Sequence, residues 1–531
     1  MQTQIEERSN SVGDRVAWTP HRRRVLIIAG VVLACLIAGF VVAELKWPFT
    51  ESAITKSLEQ QSGTTVQILR FHRFYLPHPG CVAEQVIFRH GTNAAQPPIT
   101  IQKLTIVGSY HGLLTRHIST IRAEGLHVFI VSGPGGNGDL PVNLGASNSG
   151  ISIGQIIADG AQVEFPATPQ RPQRMLFTIP KLMLHDVADN QPLAYRALVE
   201  MPQPPATVEV NGEFGPWRAA QGGRSKMSGA YIVKSLDLGS VHGIQGMLTG
   251  SGSFDGTLQQ VKVQGIADVP QFMVQSGHPE HVEARYDATV DGLAGNVSID
   301  AGWVHFGKTT VVGAATIEGE GLSKTATLEF ASSQARIEDL LWMFVSDKQP
   351  AMTGALVFRG KATIPPDLQD FLRKMKLQGD FGVSDGQYPN PQTQRNIDVL
   401  SAQARGNAAK VQKADQEYGG TYDPGHVLSD LKGHVSVADG VAHLSDVSFD
   451  VPGASAWVNG TYNLENFRID LHGHMHMQAS LSQATTGLKS FLMKVITPFL
   501  HKSKRNESVV SITVGGTWDQ PTYTVTPRAA K

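Results

Sequence analysis

Apolar and polar residues alternate along most of this chain. Val66/Ile68, Val261/Val263, Leu328/Phe330, Phe449/Val451, Ile469/Leu471 and Ile512/Val514 are each separated by a single polar residue, and Val128/Ile130 keep the same spacing. A period of two places one set of side chains on one face of a β-sheet. Gly, Asp-Gly, Asn-Gly and Pro recur at strand-length intervals, which predicts hairpins in series. The fold class expected is mainly β: an elongated, twisted antiparallel sheet. Between Ile101 and Leu104 the apolar parity inverts, which predicts a β-bulge or a turn. A glycine-aromatic pattern recurs at Gly212/Phe214, Gly252/Phe254, Gly379/Phe381 and Gly460/Tyr462. It reads either as independent turn chemistry or as a repeated hairpin unit.

Helical periodicity is confined to a few segments. Phe49 to Gln61 carries Ile54 and Leu58 on one side, and Gly63 is suited to end it. Ile337 to Val345, Pro366 to Met375 and Asn396 to Ala404 predict three further short helices. Gln483 to Leu500 is the clearest amphipathic helix, with Leu488, Phe491, Leu492, Val495 and Ile496 on one stripe. Its lysines leave two readings open, a helix on an anionic membrane surface or a helix covering the sheet.

The run Val25–Ala43 is different in kind, because it holds no charge and no strongly polar side chain. About 20 such residues span a bilayer core. Arg22, Arg23 and Arg24 precede it and mark the cytoplasmic end, while Trp47 follows as an interfacial anchor. The expectation is a single-pass protein with a cytoplasmic N-terminus and its bulk exported. Val32-Leu33-Ala34-Cys35 faintly resembles a lipidation signal, but the apolar run continues past Cys35. The predicted organisation is a tail at 1–24, the membrane helix at 25–43 and an N-terminal helix-and-strand segment at 47–131. A loop at 132–150, a β region at 151–330, a mixed region at 331–425 and a C-terminal region at 426–531 follow.

Composition narrows the function classes. The 531 residues carry a formal charge of −1, which removes the basic footprint of a nucleic-acid binder. Only Cys35 and Cys81 are present, so the exported part has no internal disulfide and depends on burial and backbone pairing. Gly133 to Gly138 satisfies a G-x-G-x-x-G string, yet no helix start follows it, and a surface loop is the better reading. His472, His474 and His476 share one face of a strand and are the best metal candidates. Met475 and Met477 alternate on the opposite side, so a solvated face is the simpler expectation. No nucleophile elbow, phosphate loop or tight acid–base cluster occurs. The expectation is no catalytic residue, no cofactor and no metal.

Several short motifs in order resemble the AsmA-like family of bacterial envelope proteins. They include Ile54-x3-Leu58-x4-Gly63-x2-Val66, Pro97-Pro98-Ile99, Gly125-Leu126-x-Val128, Gly212-Glu-Phe-Gly-Pro-Trp217 and Val290-Asp-Gly-Leu-Ala-Gly295. Leu428-Ser-Asp-Leu-Lys-Gly433, Val451-Pro-Gly-Ala454 and Thr485-Thr-Gly-Leu-Lys-Ser-Phe-Leu492 continue the series. The resemblance implies an inner-membrane anchor holding a groove-like β-sheet in the periplasm, and membrane phospholipids passed towards the outer membrane. It leaves open envelope protein partners and a non-transport role in outer-membrane assembly. The alternating pattern fits a groove, since a curled sheet with one apolar face accepts acyl chains and needs no catalytic residue. The expected lining is Val66, Ile68, Val128, Ile130, Val261, Val263, Leu328, Phe330, Phe449, Val451, Ile469, Leu471, Ile512 and Val514.

Overall fold

The computed structural model describes residues 49–89, 99–129, 151–165, 174–188, 191–202, 204–216, 223–275, 277–292, 294–320, 323–346, 348–366, 369–406, 427–478, 508–517 and 521–527. They form one long sheet with a few short helices. The strands are β1 (Thr65–Phe74), β2 (Gly80–Arg89), β3 (Ile99–Gly108), β4 (His117–Phe129), β5 (Ser152–Phe165), β6 (Met175–Val187), β7 (Leu193–Pro202) and β8 (Pro205–Phe214). There follow β9 (Lys226–Asp237), β10 (Ile244–Gln245), β11 (Met247–Thr257), β12 (Gln260–Val274), β13 (Glu280–Val290), β14 (Val297–Phe306), β15 (Thr309–Glu320) and β16 (Ser323–Arg336). The last are β17 (Thr353–Ile364), β18 (Lys376–Gln387), β19 (Ser429–Ala438), β20 (Val441–Val451), β21 (Ala454–Asn463), β22 (Ile469–Met477), β23 (Ser508–Gly516) and β24 (Pro521–Pro527). The helices are α1 (Glu51–Ser62), α2 (Tyr110–Thr115), α3 (Ile337–Phe344), α4 (Phe371–Lys374) and α5 (Pro391–Ala404).

Each strand pairs with the next in chain order, except that β10 is a short side branch on β12 and β9 pairs directly with β11. One pairing breaks the meander. Strands β4 and β5 run parallel, with Ala123 opposite Ala158. The sheet is therefore mixed, not wholly antiparallel, and it continues without a break through the boundaries expected near residues 330 and 425. Among the described residues, strands make extended contacts only with their neighbours in the ladder, so the sheet is a single layer.

The parity inversion in β3 is neither an inserted residue nor a turn. Val86 pairs with Ile101 and Glu84 with Lys103, so the register is the same on both sides. Instead the left-handed residues Gln85 (φ 53°), Gly125 (φ 62°) and Gly160 (φ 65°) line up in β2, β4 and β5. Each rotates the chain so that apolar side chains stay on one face beyond it. The switch from Ala83 to Val86, Ile101 to Leu104, Ala123 to Leu126 and Ala158 to Ala161 forms a crease across the sheet, and all eight residues belong to one core.

Helix α1 begins at Thr50, whose Oγ1 accepts from the Ala53 amide, and ends at left-handed Gly63, as its sequence predicts. With Phe49 it covers the N-terminal strands. Of the helix expected at 366–375 only α4 forms, whereas α5 starts earlier than expected, at Pro391. Both α3 and α5 lie on one long rim of the sheet, in the β16–β17 and β18–β19 connections. The Asp339 carboxylate clamps α3 by accepting from the Lys308 amide (2.8 Å) and the Thr309 hydroxyl (2.7 Å). The buried Asp398 carboxylate does the same for α5, accepting from the Val427 amide at 2.8 Å and the Gln394 side-chain amide at 2.9 Å. No described helix is long and apolar enough to cross a membrane. The run Val25–Ala43 with Arg22, Arg23, Arg24 and Trp47, the 483–500 stripe and the 133–138 glycine string lie outside the described residues.

Candidate functional site

Directly paired residues on neighbouring strands project from the same face, so the pairing register traces rows across the sheet. One row starts at Phe71 and runs through Ala83, Leu104, Ala123, Ala158, Leu182, Ala197, Val210 and Tyr231. It continues through Gly252, Gly265, Tyr286, Gly302, Gly313, Phe330 and Gly360. It ends through Gly379, Val435, Leu444, Gly460, Leu471 and Val514 on β23. No member is charged. The flanking row from Gly212 through Phe254, Val263, Ala288, Ile299, Leu328 and Leu377 to Tyr462 and Ile469 is also uncharged.

The opposite face has the reverse character. Arg70, Glu84, Lys103, Glu124, Asp159 and Lys181 form a row of mixed charge, with Arg70–Glu84 at 3.1 Å and Lys103–Glu124 at 3.2 Å. Further along, Lys361–Glu329 (2.9 Å) and Arg359–Asp380 (3.1 Å) repeat the arrangement. Such exposed pairs contribute little stability each, but they keep this face in water. The sheet is thus two-faced along its whole described length.

Val66, Ile68, Val128, Val261, Val263, Leu328, Phe330, Phe449, Val451, Ile469, Leu471, Ile512 and Val514 all lie on the apolar face, and Ile130 lies outside the described residues. Their cover differs. Val66 is packed into the core under α1, and Phe449, Val451 and Ile512 belong to a cluster with Ile397 and Leu400 of α5. Val263, Leu328, Phe330 and Leu471 are half-buried, and no second layer lies over them among the described residues.

The glycine-aromatic pattern marks strand interiors, not corners. Glycines in the rows make room for aromatic rings from neighbouring strands. A Cβ on Gly265 would lie 2.2 Å from Tyr231 Oη and 2.8 Å from Tyr286 Oη, and one on Gly360 would lie 2.8 Å from Phe330 Cζ. The two tyrosine hydroxyls are 2.6 Å apart above Gly265. Burial, and then the bond to Tyr286, push the Tyr231 phenol above its ordinary range. This device was visible in the sequence only as spacing, because the partner ring comes from another strand.

Helix α4 was missed as a functional element. It belongs to the β17–β18 connection on one rim, yet the Phe371 amide donates to His242 O (3.0 Å) in the β9–β11 connection on the other rim. The Phe371 ring packs against Val274, Phe306 and Met343 on the apolar side. Two residues on, the Arg373 guanidinium holds both carboxylate oxygens of Glu465, with Nη2–Oε2 at 2.9 Å. Strands twist by about 20–25° each, so the steps from β11 to β18 rotate the sheet through roughly 150°. That rotation brings opposite rims to the same side, and α4 ties them together over the apolar face.

Comparison with protein-family models, with curated proteins and with solved structures finds no match. His472, His474 and His476 stand on the polar face of β22, with Met475 and Met477 buried behind them. His474 stacks on Trp457 at 5.5 Å, and His472 pairs with Asp470 at 2.8 Å. Hollows of about 770 and 740 Å³ also open on the polar face, around Ile266, Arg285 and Trp303. They reach the glycines of the long row only from behind.

Proposed function

We propose that this chain binds the acyl chains of membrane phospholipids along the apolar face of its coiled sheet and moves them along that face. In this reading the run Val25–Ala43 anchors it in the inner membrane of a bacterial envelope, with the sheet in the periplasm and transfer towards the outer membrane. The carrying observation is the uncharged row from Phe71 to Val514. A single charge in that row would impose a barrier of several kcal/mol on a sliding hydrocarbon chain.

Magnitudes agree with the idea. Half of a bilayer core is about 15 Å deep, so one acyl chain lies across roughly three strands at about 4.8 Å spacing. The row crosses 22 strands, a contour of about 100 Å. Each CH2 kept from water is worth about 0.8 kcal/mol, whether it lies in bilayer or groove. Exchange between the two is thus near thermoneutral, and a partner or a gradient sets net direction.

A structural or assembly role in outer-membrane biogenesis is the competing reading. It is favoured by the N-terminal strands and by α5, where the chain's own side chains fill the apolar face. Photo-crosslinking separates the two. A crosslinker at Phe330 or Leu471 is expected to capture phospholipid in cells, and one at Val312 or Val357 on the polar face is not. Detergent-purified protein that carries no phospholipid, together with no crosslink at either inward position, would sink the lipid reading.

A further inference from the structure

On the polar face two carboxylates stand directly opposite each other: Asp268 on β12 is paired in register with Glu283 on β13. Like charges in that relation are unfavourable. His281 lies two residues before Glu283 and therefore on the same face, with its Nε2 at 2.5 Å from Asp268 Oδ1. One imidazole meets only one of the two carboxylates, and Glu280 adds a third to the same stretch of β13. Lys234 and Arg285 share a hollow of about 740 Å³ with Asp268 and Glu283. Both are engaged elsewhere, Lys234 with Glu209 at 2.9 Å and Arg285 over the Trp303 ring at 5.3 Å.

We propose that Asp268, His281 and Glu283 form a zinc-class divalent metal site on the polar face, independent of lipid binding. One ligand atom from each lies within 4.8 Å of the others. On a tetrahedral zinc with bonds near 2.1 Å, ligand atoms stand about 3.4 Å apart. Side-chain rotation alone closes the set, because backbone ladders already hold β12 and β13 in place. One imidazole with two carboxylates matches zinc or manganese better than calcium, which takes only oxygen, or copper(I), which takes sulfur. Three protein ligands leave a position open to water or to an anion entering the hollow.

The test uses the full chain in detergent, dialysed against Zn(II), with bound metal counted by mass spectrometry and Co(II) absorption as a second probe. One zinc per chain is expected at this site. His281→Ala should abolish it and Glu283→Gln should weaken it at least about tenfold. A His474→Ala/His476→Ala variant should leave it intact. Glu283→Gln removes a like-charge pair from an exposed strand position, so it tests the ligand role even if His281→Ala misfolds. No bound zinc in the unaltered chain would overturn the proposal. So would zinc retained by both His281→Ala and Glu283→Gln, or zinc lost only in the His474→Ala/His476→Ala variant.

Discussion

The glycines of the long row show how single residues set the shape of this sheet. Gly265 has no room for a methyl group, because both the Tyr231 and Tyr286 hydroxyls would lie under 3 Å from it. Gly265→Ala is expected to split the tyrosine pair and cost about 1–3 kcal/mol, the usual cost of overpacking. Denaturant unfolding should show it, and Tyr231→Phe in the same background should recover part of the loss by freeing space at the hydroxyl. Cys81 offers a second test. It is fully buried, and burial pushes its thiol up to about 12. In a Cys35→Ser background, maleimide should leave Cys81 unmodified at neutral pH until the protein is unfolded, since the thiolate is the reactive form.

The short helices act as ties along a sheet that has no second layer among the described residues. Phe371 fastens α4 to the far rim, so Phe371→Ala should raise amide exchange at residue 371 and at the 238–246 connection while β20–β22 stay protected. Equal exchange in both proteins would mean that α4 does not close the coil. At the rim, Glu338 accepts from the Gly354 amide (3.1 Å) and from Arg336 Nε (2.8 Å). Partial burial raises its pKa, but the Arg336 and backbone bonds outweigh it and hold the carboxyl below its ordinary value. A depressed folded pKa contributes stability that is present above the unfolded value, near 4.5, and lost as pH falls through the folded one. Glu338→Gln should therefore lower stability at pH 7 and flatten its decline below about pH 4.5, followed by thermal unfolding.

For the whole molecule the decisive property is an uncharged row along the apolar face from β1 to β23. Under the proposed lipid-binding reading, Leu328→Asp or Leu471→Asp should strip co-purified phospholipid by an order of magnitude while the chain stays folded, because both positions are only half-buried among the described residues. Val312→Asp, on the polar face and 50% exposed, is the control and should leave lipid content unchanged. Val261 is a poorer position for this test than its alternation implies. It is buried, and an aspartate there would destabilise the fold. Extracted lipid measured per mole of protein decides between these outcomes.

Alternation at Val261/Val263, Leu328/Phe330 and Ile469/Leu471 determined by itself that strands form and which side of each is apolar, since a two-residue period is a local property of the chain. Gly63 likewise marked the end of α1 through its own backbone preference. Other features waited on the tertiary structure. The parallel pairing of β4 with β5, the alignment of Gln85, Gly125 and Gly160 into one crease, and the meeting of Asp268 with Glu283 each depend on register between strands. The junction of Phe371 with His242 depends on twist summed over many strands, and no local spacing carries that sum. Each strand thus wrote its own two faces into the sequence. Only the ladder joined those faces into one continuous uncharged row.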